Sequence, residues 1–143
     1  MALHNIIGKA GEDTAAQYLR KKGYKIIERN WRLGNLETDI IASKDNTIVF
    51  VEVKTRSANS YYAPEDAVDY TRKRRLSIGA QAYIRYNKID LPCRFDIIAI
   101  TLQPDGTQQI NHIEDAFAPP AKYTHSSSRK KSGGWSRGGW KTY

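Results

Sequence analysis

The chain has 143 residues, a formal net charge of +8 and a single cysteine. That length allows one domain with one real core rather than two, and one cysteine excludes an internal disulfide framework and fits a reducing cytoplasm. No apolar run approaches a membrane span, and Met1-Ala2-Leu3-His4 lacks the charged-then-apolar pattern of a secretion signal, so the expectation is a cytoplasmic protein without a membrane partner.

The charge is uneven. Residues 119–143 contain Lys122, Arg129, Lys130, Lys131, Arg137 and Lys141 and no acid, so six of the eight excess positive charges lie there. A basic balance points to an anionic partner and is silent about the fold. Two regions follow: a globular body over 1–118, and a flexible basic tail over 119–143 that is rich in Gly and Ser and too poor in aliphatic residues to bury a core.

Taken in order, Gly8 to Lys22 reads as a helix stopped by Gly23. Ala15, Ala16 and Leu19 stand three, four and seven residues after Glu12, which places this acid on the stripe that faces the core. Glu12 is either a functional acid or a complement to the positive end of its helix. Tyr24 to Trp31 is the first strand and Leu36 to Ala42 the second, with Glu37 and Asp39 on one face by simple alternation. The polar stretch Ser43-Lys44-Asp45-Asn46 suits a hairpin turn.

The third strand, Ile48 to Lys54, organises the rest. Val49, Val51 and Val53 share one face; Ile48, Phe50, Glu52 and Lys54 share the other. Both faces begin apolar, the pattern of a strand covered on both sides. Glu52 and Lys54 at its end would be costly to bury unless they pair, bind a metal or line a cleft. A lone E-x-K also fits a solvated strand end. In an antiparallel hairpin, however, the start of one strand lies beside the end of the next, which brings Glu37 and Asp39 toward Glu52 and Lys54. Three carboxylates and a lysine there form a composition suited to Mg²⁺, which prefers carboxylate and water oxygens.

After Thr55-Arg56 comes a loop with Tyr61 and Tyr62, then Pro64 to Val68 as a short helix start. Thr71 to Tyr86 reads as a second long helix. Arg72-Lys73-Arg74-Arg75 opens it, where the helix dipole disfavours cations; the run is either a solvated face or a set of anion contacts. Cys93 reads as a small packing residue ahead of a buried strand, Arg94 to Ile100. A Pro104-Asp105-Gly106 turn leads to an edge strand over Gln108–Ile113. In the tail, Trp135 and Trp140 alternate with cations, which suits stacking on unpaired bases, against the alternative of no specific role.

Other chemistries lack support. His4, His112 and His125 are isolated in sequence, no Cys/His pair has zinc spacing, and there is no glycine-rich phosphate loop or G-x-S-x-G elbow.

Several motifs occur in one order: Gly11-Glu12, Asn30-Trp31-Arg32, Glu37-x-Asp39-Ile40-Ile41-Ala42, Val49 to Arg56, Pro64-Glu65-x-Ala67-Val68 and Arg94 to Ala99. Over about residues 4–116 this order resembles the YraN-like family of small bacterial proteins, a branch of the PD-(D/E)xK (restriction endonuclease-like) superfamily close to Holliday-junction resolvases. The resemblance implies an α/β fold: a mixed β-sheet flanked by helices in the order α-β-β-β-α-β, followed by the disordered basic tail. It implies Asp39, Glu52 and Lys54 as the catalytic triplet, joined by Glu12, with Asp39, Glu52, Glu12 and Glu37 as candidate ligands for Mg²⁺ or Mn²⁺. This chain departs from the pattern at Thr38, where the motif has proline, and at Leu36, where the family has glycine.

The resulting expectation is a metal-dependent endonuclease acting on DNA, including branched DNA. Arg56, Lys73, Arg74, Arg75, Trp135 and Trp140 are its candidate nucleic-acid contacts, and a homodimer would suit symmetric cutting. The rivals are an accessory protein that binds nucleic acid without cutting it, and a scaffold component whose tail recruits a partner. An intact acidic site favours the enzyme, although fold alone does not certify activity.

Overall fold

The computed structural model describes residues 3–58, 69–118, 135–136 and 139–140; the side chains of residues 3–7 and of the four tail residues lie outside what is described. Helix α1 spans Leu3–Lys21, so it begins five residues before the glycine at which the sequence pattern starts. Its end is a Schellman motif: Gly23 adopts φ 94°, its N–H donates to Arg20 O at 3.0 Å, and Tyr24 N–H donates to Leu19 O at 2.9 Å. Leu19 and Tyr24 then pack in the same core cluster, which fixes the direction of the chain leaving the helix.

Strands β1 (Lys25–Leu33), β2 (Leu36–Lys44) and β3 (Thr47–Ser57) form an antiparallel meander. The β2–β3 turn is Asp45-Asn46, with φ 51° and 59°. Two left-handed residues in a two-residue loop match the right-handed twist of the flanking strands. Helix α2 (Tyr70–Tyr86) crosses back to β4 (Cys93–Leu102), which runs parallel to β3, and β5 (Gln108–Ile113) closes the far edge. The result is an α/β fold in the order α-β-β-β-α-β, with a mixed sheet ordered β1-β2-β3-β4-β5. In the tail, β6 (Trp135–Ser136) and β7 (Gly139–Trp140) form a short antiparallel pair. The helix start expected at Pro64–Val68 lies outside the described residues, as does the rest of the expected flexible tail. None of the described helices is long and apolar enough to cross a membrane.

The core has two layers. Val49 and Val51 pack with Ile40, Ala15, Ala16 and Leu19 beneath α1. Ile48 and Phe50 pack with Ile41, Leu76, Ala80 and Tyr83 beneath α2. Cys93 is buried in the second layer as a packing residue. Two glycines allow the helices this close. A Cβ on Gly11 would overlap Thr55 Oγ1 of β3, and one on Gly79 would come within 3.3 Å of the Trp31 ring. Both approaches bear on the cleft below, because Glu12 follows Gly11 and α2 begins with the arginine run.

Candidate active site

The sheet is split at one end. The β2–β3 ladder runs from Lys44↔Thr47 to Ile40↔Val51 and goes no further, while β3 stays paired with β4 from Ile48 to Ser57. Beyond Val51 one edge of β3 therefore has no strand partner. Asp39 fills part of that gap: Val53 N–H donates to its Oδ2 at 2.8 Å.

A local break in alternation turns Asp39 this way. On β1, Arg29 donates to Asp13 of α1 at 2.7 Å, whereas Trp31 lies edge-on to Tyr83 of α2, 5.5 Å between centroids. Residues two apart thus face opposite layers, and the residue between them, Asn30, adopts φ 54°. Their partners across the ladder, Ile40 and Thr38, show the same reversal: Ile40 lies in the α1 layer, Thr38 beside Gly79 of α2. The break in alternation thus falls between Thr38 and Ile40, while Glu37 and Asp39, expected on one face, line the same cleft. What brings them together is the opening between the strands.

Glu12, Glu37, Asp39, Glu52 and Lys54 all line one cleft of about 920 Å³, and so does Arg72. Glu12 arrives from α1, Glu37 and Asp39 from β2, and Glu52 and Lys54 from β3. Glu52 is buried to 3 % exposure. Arg72 donates to both of its carboxylate oxygens, Nε to Oε2 at 3.1 Å and Nη2 to Oε1 at 2.9 Å, and Lys54 Nζ stands 3.7 Å from Oε2. Glu37 sits at the rim, paired with Arg32 at 3.2 Å.

The cleft concentrates negative charge. Burial first, and then the charge of Glu52, push the Asp39 carboxyl up to about 8, against the lowering effect of the Val53 N–H. Burial also raises the pKa of Glu12, opposed by the positive charge of Arg29 and a hydrogen bond with Asn30. Among the described residues, no three Asp, Glu, His or Cys side chains form a ready-made metal cage.

The arginine run divides. Arg72 enters the cleft. Lys73 instead lies over the Phe117 ring at 5.5 Å, and Arg74 and Arg75 are exposed on α2. Arg56 lies two residues past Lys54 on β3 and is partly buried. For Trp135 and Trp140 the structure gives the backbone pairing alone. Sequence reasoning missed Arg72 as a cleft residue, although the misplaced cations at the start of α2 were the signal. It also missed a second buried cluster. Asp96, wholly buried, accepts from Arg94 Nε at 2.9 Å and Asp115 N–H at 3.0 Å, and lies 2.8 Å from His112 Nε2. Tyr18 Oη is 3.1 Å from the other nitrogen of His112.

Comparison with known proteins places the chain. It is 49 % identical over 120 residues to the UPF0102 protein of Bacteroides thetaiotaomicron, covering 84 % of this chain and 98 % of that one. With the UPF0102 protein of Parabacteroides distasonis it is 47 % identical over 122 residues, covering 85 % of this chain and all of the other. Among solved structures, Pyrococcus furiosus SfsA in complex with Ca²⁺ aligns at 16 % identity and a TM-score of 0.40, covering 78 % of this chain; the chain spans 63 % of that protein, and a likeness this slight does not bear on the site. Residues 11–100, from the glycine under α1 through the end of the buried core of β4, match the model of the uncharacterised protein family UPF0102, and the chain belongs to that family.

Proposed function

We propose that this protein is a metal-dependent endonuclease that hydrolyses DNA phosphodiester bonds, with branched or otherwise structured DNA among its candidate substrates. One observation carries the reading: acids from α1, β2 and β3, with a lysine and an arginine, open onto a single cleft where the sheet splits. A merely solvated strand end would not bury Glu52 or hold Asp39 against a backbone N–H.

The donor set fits a hard divalent cation, Mg²⁺ or Mn²⁺. Asp39, Glu52 and Glu12 offer only oxygens, and burial together with the neighbouring Glu52 charge raises the pKa of Asp39. Asp39 and Glu52 would hold the ion, with Glu12 assisting from α1 and Glu37 at the rim. A bound ion of this class polarises a phosphate and lowers the pKa of its water. Lys54, beside Glu52, orients the attacking water or stabilises the charge that develops on the phosphate. Arg56, Lys73, Arg74 and Arg75 supply contacts that position a duplex without reading its sequence, and the tail tryptophans suit stacking on unpaired bases.

The second reading, an accessory protein that binds without cutting, is favoured by one feature: both oxygens of Glu52 are engaged by Arg72. Incubation with labelled linear, flapped and four-way DNA in Mg²⁺, Mn²⁺ or EDTA decides between them. The nuclease cuts at least one substrate with metal and none in EDTA. Binding to all three with metal and no cleavage of any overturns the enzyme reading.

A further inference from the structure

Arg72 is held in its position from behind. Asp69 caps α2 by accepting the Arg72 N–H at 2.9 Å, and Gly79 lets the helix lie close to β1 and β2. The guanidinium forks onto Glu52 and also reaches the Glu37 carbonyl oxygen at 3.4 Å. Its side chain remains 22 % exposed, against 4 % for Glu52, and lines the cleft, where an incoming anion would meet it. A planar fork of this kind matches a phosphate as well as it matches a carboxylate.

We propose, resting on the nuclease reading above, that Arg72 is a positioning residue that exchanges partners. In the protein alone it clamps Glu52. When a phosphodiester enters the cleft, the guanidinium transfers to the phosphate and frees the Glu52 oxygens for the divalent cation. Two consequences follow from charge alone. A cation arriving by itself must displace two charge-assisted hydrogen bonds, so it binds weakly. A phosphate gives the guanidinium another bidentate partner, so diester and cation each strengthen the binding of the other by the same factor. The arginine thereby couples metal loading to the presence of substrate. Lys54 does not take this role, since its single ammonium stands 3.7 Å from one Glu52 oxygen and makes no fork.

The test is calorimetric and needs no turnover. Mn²⁺ is titrated into the full chain as wild type, Arg72→Gln and Arg72→Lys, first alone and then with dimethyl phosphate as a bare diester. Expected for Mn²⁺ alone is binding about tenfold tighter in Arg72→Gln than in wild type, the scale of one net charge-assisted hydrogen bond. Arg72→Lys, which keeps the charge and loses the fork, should fall between. Dimethyl phosphate should tighten Mn²⁺ binding to wild type and leave Arg72→Gln unchanged. If Arg72→Gln loses its near-ultraviolet circular dichroism, Arg72→Lys decides on the same criterion. Equal or weaker Mn²⁺ binding in the variants, in a wild type that does cut DNA, overturns the exchange and leaves the nuclease standing. No Mn²⁺ binding by any form, with DNA uncut, overturns both.

Discussion

Asp39 occupies the position that a neighbouring strand would otherwise hold beside Val53, accepting its N–H at 2.8 Å where the β2–β3 ladder has ended. The carboxylate therefore satisfies the backbone, and burial with Glu52 nearby outweighs the Val53 N–H and Arg72 and lifts it to about 8. In the unfolded chain the same group titrates near 3.9. The native state thus keeps a proton that the unfolded state loses, and stability falls as pH rises from about 4 toward 8.

Asp39→Asn should remove that slope, because the amide oxygen still accepts from Val53 and carries no charge. The variant should melt higher than wild type, by a margin that grows from pH 5 to pH 8, with each recovered kcal/mol worth roughly 2–8 °C. Cleavage should be lost and DNA binding retained. Thermal melts at the two pH values check the first part, and an Asp39→Asn protein that melts lower at pH 8 contradicts it.

Gly11 carries a steric prediction. A methyl there collides with Thr55 Oγ1, and a β-branched threonine has few χ1 rotamers with which to yield. Gly11→Ala should lose about 1–3 kcal/mol by overpacking, and DNA cleavage should fall as Glu12 is displaced. Thr55→Ala in the same chain should restore much of the loss, and a denaturant double-mutant cycle measures the coupling. Strictly additive effects would show that the two side chains do not meet.

The hairpin and both layers of β3 were legible in the sequence, because Asp45-Asn46 between two apolar runs is a local signal and alternation within β3 is regular. The kink at Asn30 and Asp39 was not legible. A left-handed asparagine inside a strand looks like any other polar residue, and its effect shows only when Arg29 and Trp31 are seen to meet different helices. Arg72 was hidden for a related reason. Which member of four consecutive cations turns inward depends on how α2 docks, and Gly79 and Asp69 set that docking. His112 looked isolated because its partner Asp96 is on the neighbouring strand.

That Asp96 cluster gives an acid-side prediction opposite in sign to Asp39. Burial alone would raise the Asp96 pKa, yet hydrogen bonds from His112, Arg94 and Asp115 outweigh it and hold the carboxyl below its usual range. Its contribution is present above the unfolded-state pKa near 3.9 and is lost as pH falls through the native value. Asp96→Asn keeps one acceptor oxygen but sets an NH2 against the donors that met the other, and it leaves the Arg94 charge without its buried anion, so it should cost about 3–5 kcal/mol at pH 7. The gap to wild type should narrow below about pH 4, as measured by denaturant unfolding. A pH-independent gap would mean that shape, rather than charge, makes Asp96 necessary.

The body and the tail can be separated experimentally, since the acids lie within residues 12–54 and six cations and two tryptophans lie beyond residue 118. Lys54→Ala should abolish cleavage with little effect on binding, as it leaves every tail cation in place. Truncation after Ala118 should do the reverse. DNA affinity should fall, and the salt dependence of binding should flatten by about 0.9 in log–log slope for each phosphate contact removed. Cleavage by residues 1–118 should persist at low salt, where the remaining cations suffice to hold a duplex. Anisotropy titrations over a salt series, paired with a cleavage assay of the same truncated protein, read both quantities. An unchanged salt slope would remove the tail from the DNA interface, and a truncated protein that binds at low salt but no longer cuts would place part of the chemistry beyond residue 118.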